Sequence, residues 1–249
     1  MSMPTALEPV QLLWTGGWDS SFRLLQLLLI EKRAVQPIYV ISLGRRTALL
    51  EFQAMERMRQ ALLPRLRDPA QLLPTKVAIQ DQYPARQELA DLWESINSRA
   101  RLGAQYLWLA SVAEALDWRG VELSLEAYPG GMAEFEHLVF DAPGRLNDSP
   151  EAALFSRFTF PVMHLTKREM GDIAREHGFY DILMQRWFCQ DPVGGKACGH
   201  CRPCRLANRD GVDFAGPVAV LATRVWRRVQ WGAWVLRQRV RGAQVGVVG

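Results

Sequence analysis

Residues 15–21 read TGGWDSS and combine two glycines with polar side chains that could hold an anion. Gly16 and Gly17 allow a sharp turn that exposes backbone N–H groups. A helix that begins at this point would add its N-terminal amides and its dipole, which favour a group such as pyrophosphate. The polar side chains of the stretch are those of Thr15, Asp19, Ser20 and Ser21. The stretch therefore predicts a phosphate-binding loop, with an ordinary capped strand–turn–helix connection as the alternative.

Asp19 is the one acid in this loop, and it would repel a bound phosphate. A cation between the carboxylate and the anion removes that conflict, and Mg²⁺ is the natural one because it prefers oxygen ligands. Asp19 or a neighbouring serine is also expected to cap the following helix. The loop is neither a Walker A motif nor a GxGxxG motif.

A second cluster holds all four cysteines of the chain in the spacing C-x8-C-x2-C-x2-C. They are Cys189, Cys198, Cys201 and Cys204. Four thiolates close a tetrahedral zinc site and leave no position for a substrate, so the predicted Zn²⁺ is structural. His200 could replace one cysteine. An iron–sulfur cluster and disulfides are the alternatives, the latter disfavoured in a cytosolic chain.

The elements that must position these clusters alternate between strand and helix patterns. The expected strands are Val10–Thr15, Gln36–Leu43, Thr75–Gln80, Val121–Glu126 and Phe158–Met163. The expected helices are 19–33, 46–62, 84–93, 100–117, 154–157 and 166–177. Thr166 and Glu169 form a capping box, and Gly178 ends that helix. The alternation predicts an α/β fold with a doubly wound parallel sheet, whose ligands bind beyond the carboxyl ends of the strands.

Composition is that of a globular protein. The chain has 249 residues, 49% of them hydrophobic, enough for a sizeable core. No apolar run is long enough for a membrane span and no export signal is visible, so a cytoplasmic location is expected. The predicted organisation is an α/β domain over 1–180, a zinc-binding segment over 181–212 and a basic helical tail over 213–249.

The tail is the basic part of the chain. Six arginines follow the last acid, Asp213, and without them the formal net charge of +4 becomes −2. An amphipathic helix packed on the body or on a dimer partner is one interpretation of residues 218–241. Contact with a nucleic acid or a membrane is the other, because basic and aromatic residues alternate there.

The pattern [ST]-G-G-x-D-S after a first strand resembles the loop of the ATP pyrophosphatase (PP-loop) superfamily, whose fold is the adenine nucleotide alpha hydrolase-like variant of the Rossmann fold. The segment from Pro161 to Glu169, PVMHLTKRE, and the cysteine cluster extend the likeness over residues 10–212. Together they resemble the 7-cyano-7-deazaguanine synthases of queuosine biosynthesis.

This resemblance implies an ATP-dependent, AMP-forming C–N ligase. Such an enzyme adenylates a 7-deazapurine acid, 7-carboxy-7-deazaguanine in the family, and lets ammonia or another amine displace AMP. It implies ATP, Mg²⁺ and Zn²⁺ as cofactors and a homodimer. The implied roles are nucleotide binding by Thr15, Gly16, Gly17, Asp19, Ser20 and Ser21, and catalysis by Asp19, Ser20 and Lys167.

Two segments depart from the family pattern. In 128–135, YPGGMAEF, two glycines and a methionine replace the Asp-Cys-Arg centre, and 102–105, LGAQ, lacks the arginine of the family's P-x-R-N. Arg99 or Arg101 could cover for the missing arginine. The changes indicate a different acceptor, and they leave two alternatives: a tRNA-modifying PP-loop enzyme and a nucleotide-binding relative without catalysis.

Overall fold

The computed structural model describes residues 8–127 and 134–209. The chain divides into two compact units, residues 1–188 and 189–249. The predicted tail over 213–249 and residues 128–133 of the altered segment lie outside the described residues, so the expectations for them stay predictions.

The described part alternates between strands and helices. The strands are β1 Val10–Leu13, β2 Val35–Ile41, β3 Lys76–Ile79, β4 Val121–Glu122, β5 Phe140–Ala142, β6 Arg145–Leu146 and β7 Phe158–Thr159. The helices are α1 Trp18–Leu25, α2 Ala48–Leu62, α3 Gln87–Asn97, α4 Gln105–Ala115, α5 Glu136–Val139, α6 Lys167–Glu176, α7 Tyr180–Leu183 and α8 Arg202–Arg209. A π-helical turn, Gln26–Ile30, continues α1, and short 3₁₀ turns lie at Leu63–Arg65, Pro69–Gln71, Gln80–Gln82 and Pro150–Phe155.

Five strands form one parallel sheet in the order β3-β2-β1-β4-β7. The chain builds outward from β1 through β2 to β3, and then returns to place β4 on the other side of β1. The switch point of the topology therefore lies between β1 and β4, where open α/β sheets bind ligands. The predicted α/β class with a parallel sheet is confirmed.

A buried ion pair fastens α1 to the sheet beside this switch point. The Arg23 guanidinium donates from Nε and Nη2 to the two carboxylate oxygens of Glu122, at 2.7 and 2.9 Å. Their side chains are only 9% and 11% exposed. β4 pairs with β1 through the single register pair Leu12–Glu122. Because this strand pairing is so short, the Arg23–Glu122 ion pair strengthens the attachment of β4.

Several elements differ from their expected extent. The fourth strand ends at Glu122 rather than Glu126, although Leu123 N–H still donates to the Thr159 carbonyl at 2.9 Å. The antiparallel hairpin of β5 and β6 was not predicted, yet Pro143-Gly144 is a turn signal and Gly144 has φ +80°. The capping box at Thr166 and Glu169 is present. No helix within 8–127 or 134–209 is long and apolar enough to cross a bilayer.

Candidate functional site

A cavity of about 260 Å³ opens beyond the carboxyl ends of the central strands. Its walls come from the segments that follow β1, β2 and β4, together with residues of α4 and α5. Four of the residues predicted to bind a nucleotide line it: Thr15, Gly17, Asp19 and Ser20. The volume is slightly below the about 300–1,000 Å³ of typical small-molecule sites.

Gly16 sets the path of the loop. Its φ of +69° lies in the left-handed region, and a Cβ there would stand 3.1 Å from Met55 Cγ and 3.2 Å from the Glu51 carbonyl oxygen. Its own carbonyl accepts a hydrogen bond from Trp187 N–H at 2.8 Å. Gly16 therefore lets the loop turn while in close contact with α2, and it is not itself part of the cavity wall.

The start of α1 differs from the predicted capping. Gly17 occupies the N-cap position in an extended conformation, and no side chain caps the helix. Asp19 and Ser20 lie inside the first turn, too far along the chain to act as the N-cap. The first helical hydrogen bond joins Ser21 N–H to the Gly17 carbonyl at 3.1 Å, so the amides of 18–20 have no partner within the helix. Such amides can donate hydrogen bonds to an anion.

The two serines of the loop have different surroundings. Ser20 Oγ accepts a hydrogen bond from Thr15 N–H at 3.4 Å and lies at the cavity. Ser21 is fully buried, and its Oγ accepts a hydrogen bond from Trp14 Nε1 at 3.0 Å. Ser21 is therefore not part of the cavity wall, and its hydroxyl instead binds the Trp14 indole.

Lys167, the first residue of α6, is held between two carboxylates. Its Nζ lies 3.4 Å from Asp19 Oδ1 and also pairs with Glu126, and its side chain is 17% exposed. Burial alone would lower the pKa of Lys167, but the charges of Asp19 and Glu126 raise it to about 12. The ammonium therefore stays protonated near neutral pH. Asp19 and Glu126 line the cavity, whereas Lys167 is not part of the wall and contacts it through its ion pairs with these two acids.

Arg45 is a cavity residue that the sequence motifs did not predict. It follows β2, and among the described residues it is the only cation of the cavity wall. The arginines suggested as substitutes lie elsewhere: Arg99 pairs with Glu151, and Arg101 is exposed and outside the wall. The Gly44-Arg45-Arg46 sequence directly after a predicted strand was the available signal.

The remaining wall is aromatic and acidic. Tyr106 and Trp108 of α4 and Phe135 supply flat apolar surfaces, and the carboxylates are those of Asp19, Glu126 and Glu136. The Ser124 hydroxyl also faces this region, and its Oγ is buried without a hydrogen-bond partner among the described atoms. The cavity is thus suited to a flat ring with hydrogen-bond donors, and a phosphate there would require cations.

The cysteine cluster lies in the second unit. The sulfur atoms of Cys189, Cys198, Cys201 and Cys204 all lie within 4.8 Å of one another. Two of the S–S distances are 3.9 Å, from Cys198 to Cys204 and from Cys189 to Cys201. A tetrahedral zinc ion with Zn–S bonds of 2.3 Å would space its ligands about 3.8 Å apart, and a disulfide needs about 2.05 Å. The cluster therefore fits a single tetrahedral ion such as Zn²⁺.

Backbone N–H groups donate hydrogen bonds to two of the sulfur atoms and thereby stabilise their thiolate form. Cys198 N–H donates to Cys189 Sγ at 3.2 Å, and Cys201 N–H donates to Cys198 Sγ at 3.3 Å. Interaction with the Cys204 thiol lowers the pKa of Cys189, and the same interaction raises the pKa of Cys204. A bound cation is what would let all four ionise together. His200 is not among the four clustered ligands.

No protein-family model matches the chain. No curated protein is significantly similar to it either.

Proposed function

We propose that the protein is an ATP-dependent, AMP-forming ligase that adenylates a carboxylate for attack by an amine. The observation that carries the proposal is the position of the T-G-G-W-D-S loop. It joins the end of β1 to the start of α1, beside the switch point of a parallel sheet and on the wall of a cavity. The resemblance to 7-cyano-7-deazaguanine synthases supports a 7-deazapurine acid as the acceptor, and the cavity's aromatic and carboxylate groups suit such a ring.

The proposed reaction requires the protein mainly to position the reactants and to stabilise charge. A carboxylate oxygen of the acceptor attacks the α-phosphorus of ATP, and pyrophosphate leaves. The amine then attacks the acyl carbon, loses a proton and displaces AMP. The unbonded amides of 18–20 would hold the departing pyrophosphate, as preorganised donors do in other transfer reactions.

Lys167 fits an electrostatic role better than a proton-transfer role in this scheme. Because its pKa is raised to about 12, it cannot serve as a general base near neutral pH. It holds Asp19 and Glu126, the acids from which a Mg²⁺ ion bound with the nucleotide would take oxygen ligands. The tetrathiolate site supplies structure to the second unit and takes no part in the reaction.

The test is product formation by the purified full-length protein. ATP, MgCl₂, 7-carboxy-7-deazaguanine and ammonia are mixed, nucleotides are resolved by chromatography and acid adducts by mass spectrometry. We expect one AMP and one pyrophosphate for each amide formed, and two of each for each nitrile, because a second ATP must activate the amide oxygen before it can leave. Asp19→Asn should lower the rate by about 10²-fold, the scale of lost electrostatic stabilisation. Asp172→Asn is the matched control, because Asp172 is exposed, pairs with Arg175 and is outside the cavity wall.

Other products would point elsewhere. ADP and phosphate as the products would contradict cleavage at the α-phosphorus. ATP binding without AMP formation over a panel of acids would favour a nucleotide-binding relative without catalysis. AMP formation that depends on added tRNA, and not on the acid, would favour the tRNA-modifying alternative.

A further inference from the structure

Arg45 is attached to the body of the protein through a buried carboxylate. Its Nε lies 2.8 Å from Glu51 Oε1 and donates a hydrogen bond to Thr47 Oγ1 at 3.2 Å. Thr47 Oγ1 in turn donates to the same Glu51 oxygen at 2.8 Å. Glu51 and Thr47 are each 3% exposed, whereas the Arg45 side chain is 36% exposed and reaches the cavity.

The second oxygen of Glu51 is also bonded. Tyr39 OH donates to Glu51 Oε2 at 2.8 Å, and burial together with the Glu51 charge raises the pKa of Tyr39. Both oxygens of this buried acid therefore have donors, and its charge is balanced by Arg45. A carboxylate held on both sides fixes the arginine that it binds, because neither oxygen can turn away without losing a partner.

This arrangement uses only one edge of the guanidinium. An arginine has five N–H donors, and here Nε takes the contacts to Thr47 and Glu51. No described acceptor lies within hydrogen-bond distance of the Arg45 Nη atoms, although the residue borders a cavity whose other charged wall groups are acids. A planar pair of N–H groups is suited to two oxygens of a carboxylate or phosphate.

The same acid connects Arg45 to the phosphate loop. The Glu51 side chain binds Arg45, and the backbone of Glu51 packs against Gly16. A Cβ added to Gly16 would stand 3.2 Å from the Glu51 carbonyl oxygen. Arg45 is thereby fixed relative to the loop, whose residues Thr15, Gly17 and Ser20 line the same cavity.

We infer that Arg45, oriented by Glu51 and Thr47, is the oxyanion-binding residue of the cavity. Its ligand is a carboxylate of the acceptor or a phosphate of the nucleotide, groups that share the planar or fork-like oxygen pair an arginine recognises. The inference concerns the same cavity as the proposed function, but it requires only that an oxyanion binds there.

Calorimetric titration of the full-length protein with matched ligand pairs separates the two sources. ATP is compared with adenosine, and 7-carboxy-7-deazaguanine with 7-deazaguanine, and Mg²⁺ is present throughout. Inorganic pyrophosphate is the probe that does not depend on the proposed function. Arg45→Met should weaken binding of pyrophosphate or of the acid at least about tenfold and leave the neutral partners within about twofold. Arg45→Lys should recover only part of the loss, since it keeps the charge without the fork.

Arg46→Met is the matched control, because Arg46 is the next residue, is exposed and is outside the cavity wall. A loss confined to pyrophosphate and ATP assigns Arg45 to the phosphate, and a loss confined to the acid assigns it to the acceptor carboxylate. Equal affinities of Arg45→Met and wild type for all charged probes would overturn the inference, as would a wild type that binds none of them. Retained pyrophosphate binding through Arg45 in a protein that forms no AMP would uphold it while the proposed function failed.

Discussion

Lys167 Nζ lies 3.4 Å from Asp19 Oδ1, so the first residue of α6 is ion-paired to the first turn of α1. Glu126, from the segment after β4, pairs with the same ammonium. One lysine thus joins the regions that follow β1 and β4 on the two sides of the switch point.

Replacing Lys167 by Met should destabilise the fold on the order of 3 kcal/mol, because two carboxylates would be left together without a partner. Urea unfolding at pH 7 measures the change. Arg119→Met is the control: that arginine pairs with Asp117 on the surface, where such pairs contribute only about 0–1 kcal/mol. Equal stability losses for the two variants would show that the Lys167 contacts are solvated.

The pH dependence of that stability difference follows from the raised pKa of Lys167. A group whose folded pKa lies above its unfolded value stabilises the fold fully below the unfolded pKa, and the effect is lost as pH rises through the folded pKa. The difference between wild type and Lys167→Met should therefore be constant from pH 7 to about 10 and decline toward pH 12. Urea unfolding of both proteins across this range measures it, and a decline already between pH 7 and 9 would contradict the ion pair.

Gly16→Ala should cost about 2–4 kcal/mol, since the new Cβ adds close contacts with Met55 and Glu51 to an unfavourable backbone conformation. Gly120→Ala is the matched control, because Gly120 has a similar φ of +64° but no atom within 4 Å of the place that a Cβ would take. Its cost should be only about 1–2 kcal/mol, the backbone contribution alone. Thermal unfolding gives both values, and equal costs would mean that α2 can move away from the loop.

The purified protein should contain about one zinc ion per chain by elemental analysis. Cys204→Ser should lose most of it, because the cluster needs all four sulfur atoms to enclose the ion. His200→Ala should keep its zinc, since His200 is not one of the clustered ligands. Iron with acid-labile sulfide in place of zinc would contradict the assignment and support the iron–sulfur alternative.

Much of this fold follows from local sequence patterns. Periodicity, the Thr166–Glu169 capping box and Gly178 located the strands and helices, because those signals depend on near neighbours along the chain. The cysteine cluster could also be predicted from the sequence, since all of its ligands lie within one short segment whose spacing limits their geometry.

The contacts that complete the cavity could not be predicted from such local patterns. Arg45 reaches it because β2 lies beside β1, and Lys167 reaches Asp19 because the chain returns past the sheet after β7. The role of Ser21 depends on Trp14, a buried residue whose ring direction cannot be inferred from an apolar run. Each of these features requires the sheet order, which alternation alone does not specify.

The strand order also has a consequence for biosynthesis. As the nascent chain leaves the ribosome, β1 can pair at once with β2, but its other edge has no partner until Val121 and Glu122 have been made. During that interval the free edge of β1 is exposed to other chains, and so is Arg23, whose partner Glu122 has not yet been made. Such exposed groups favour misassembly. Translation that pauses before β4 should therefore be more harmful to the yield of folded protein than a pause after it.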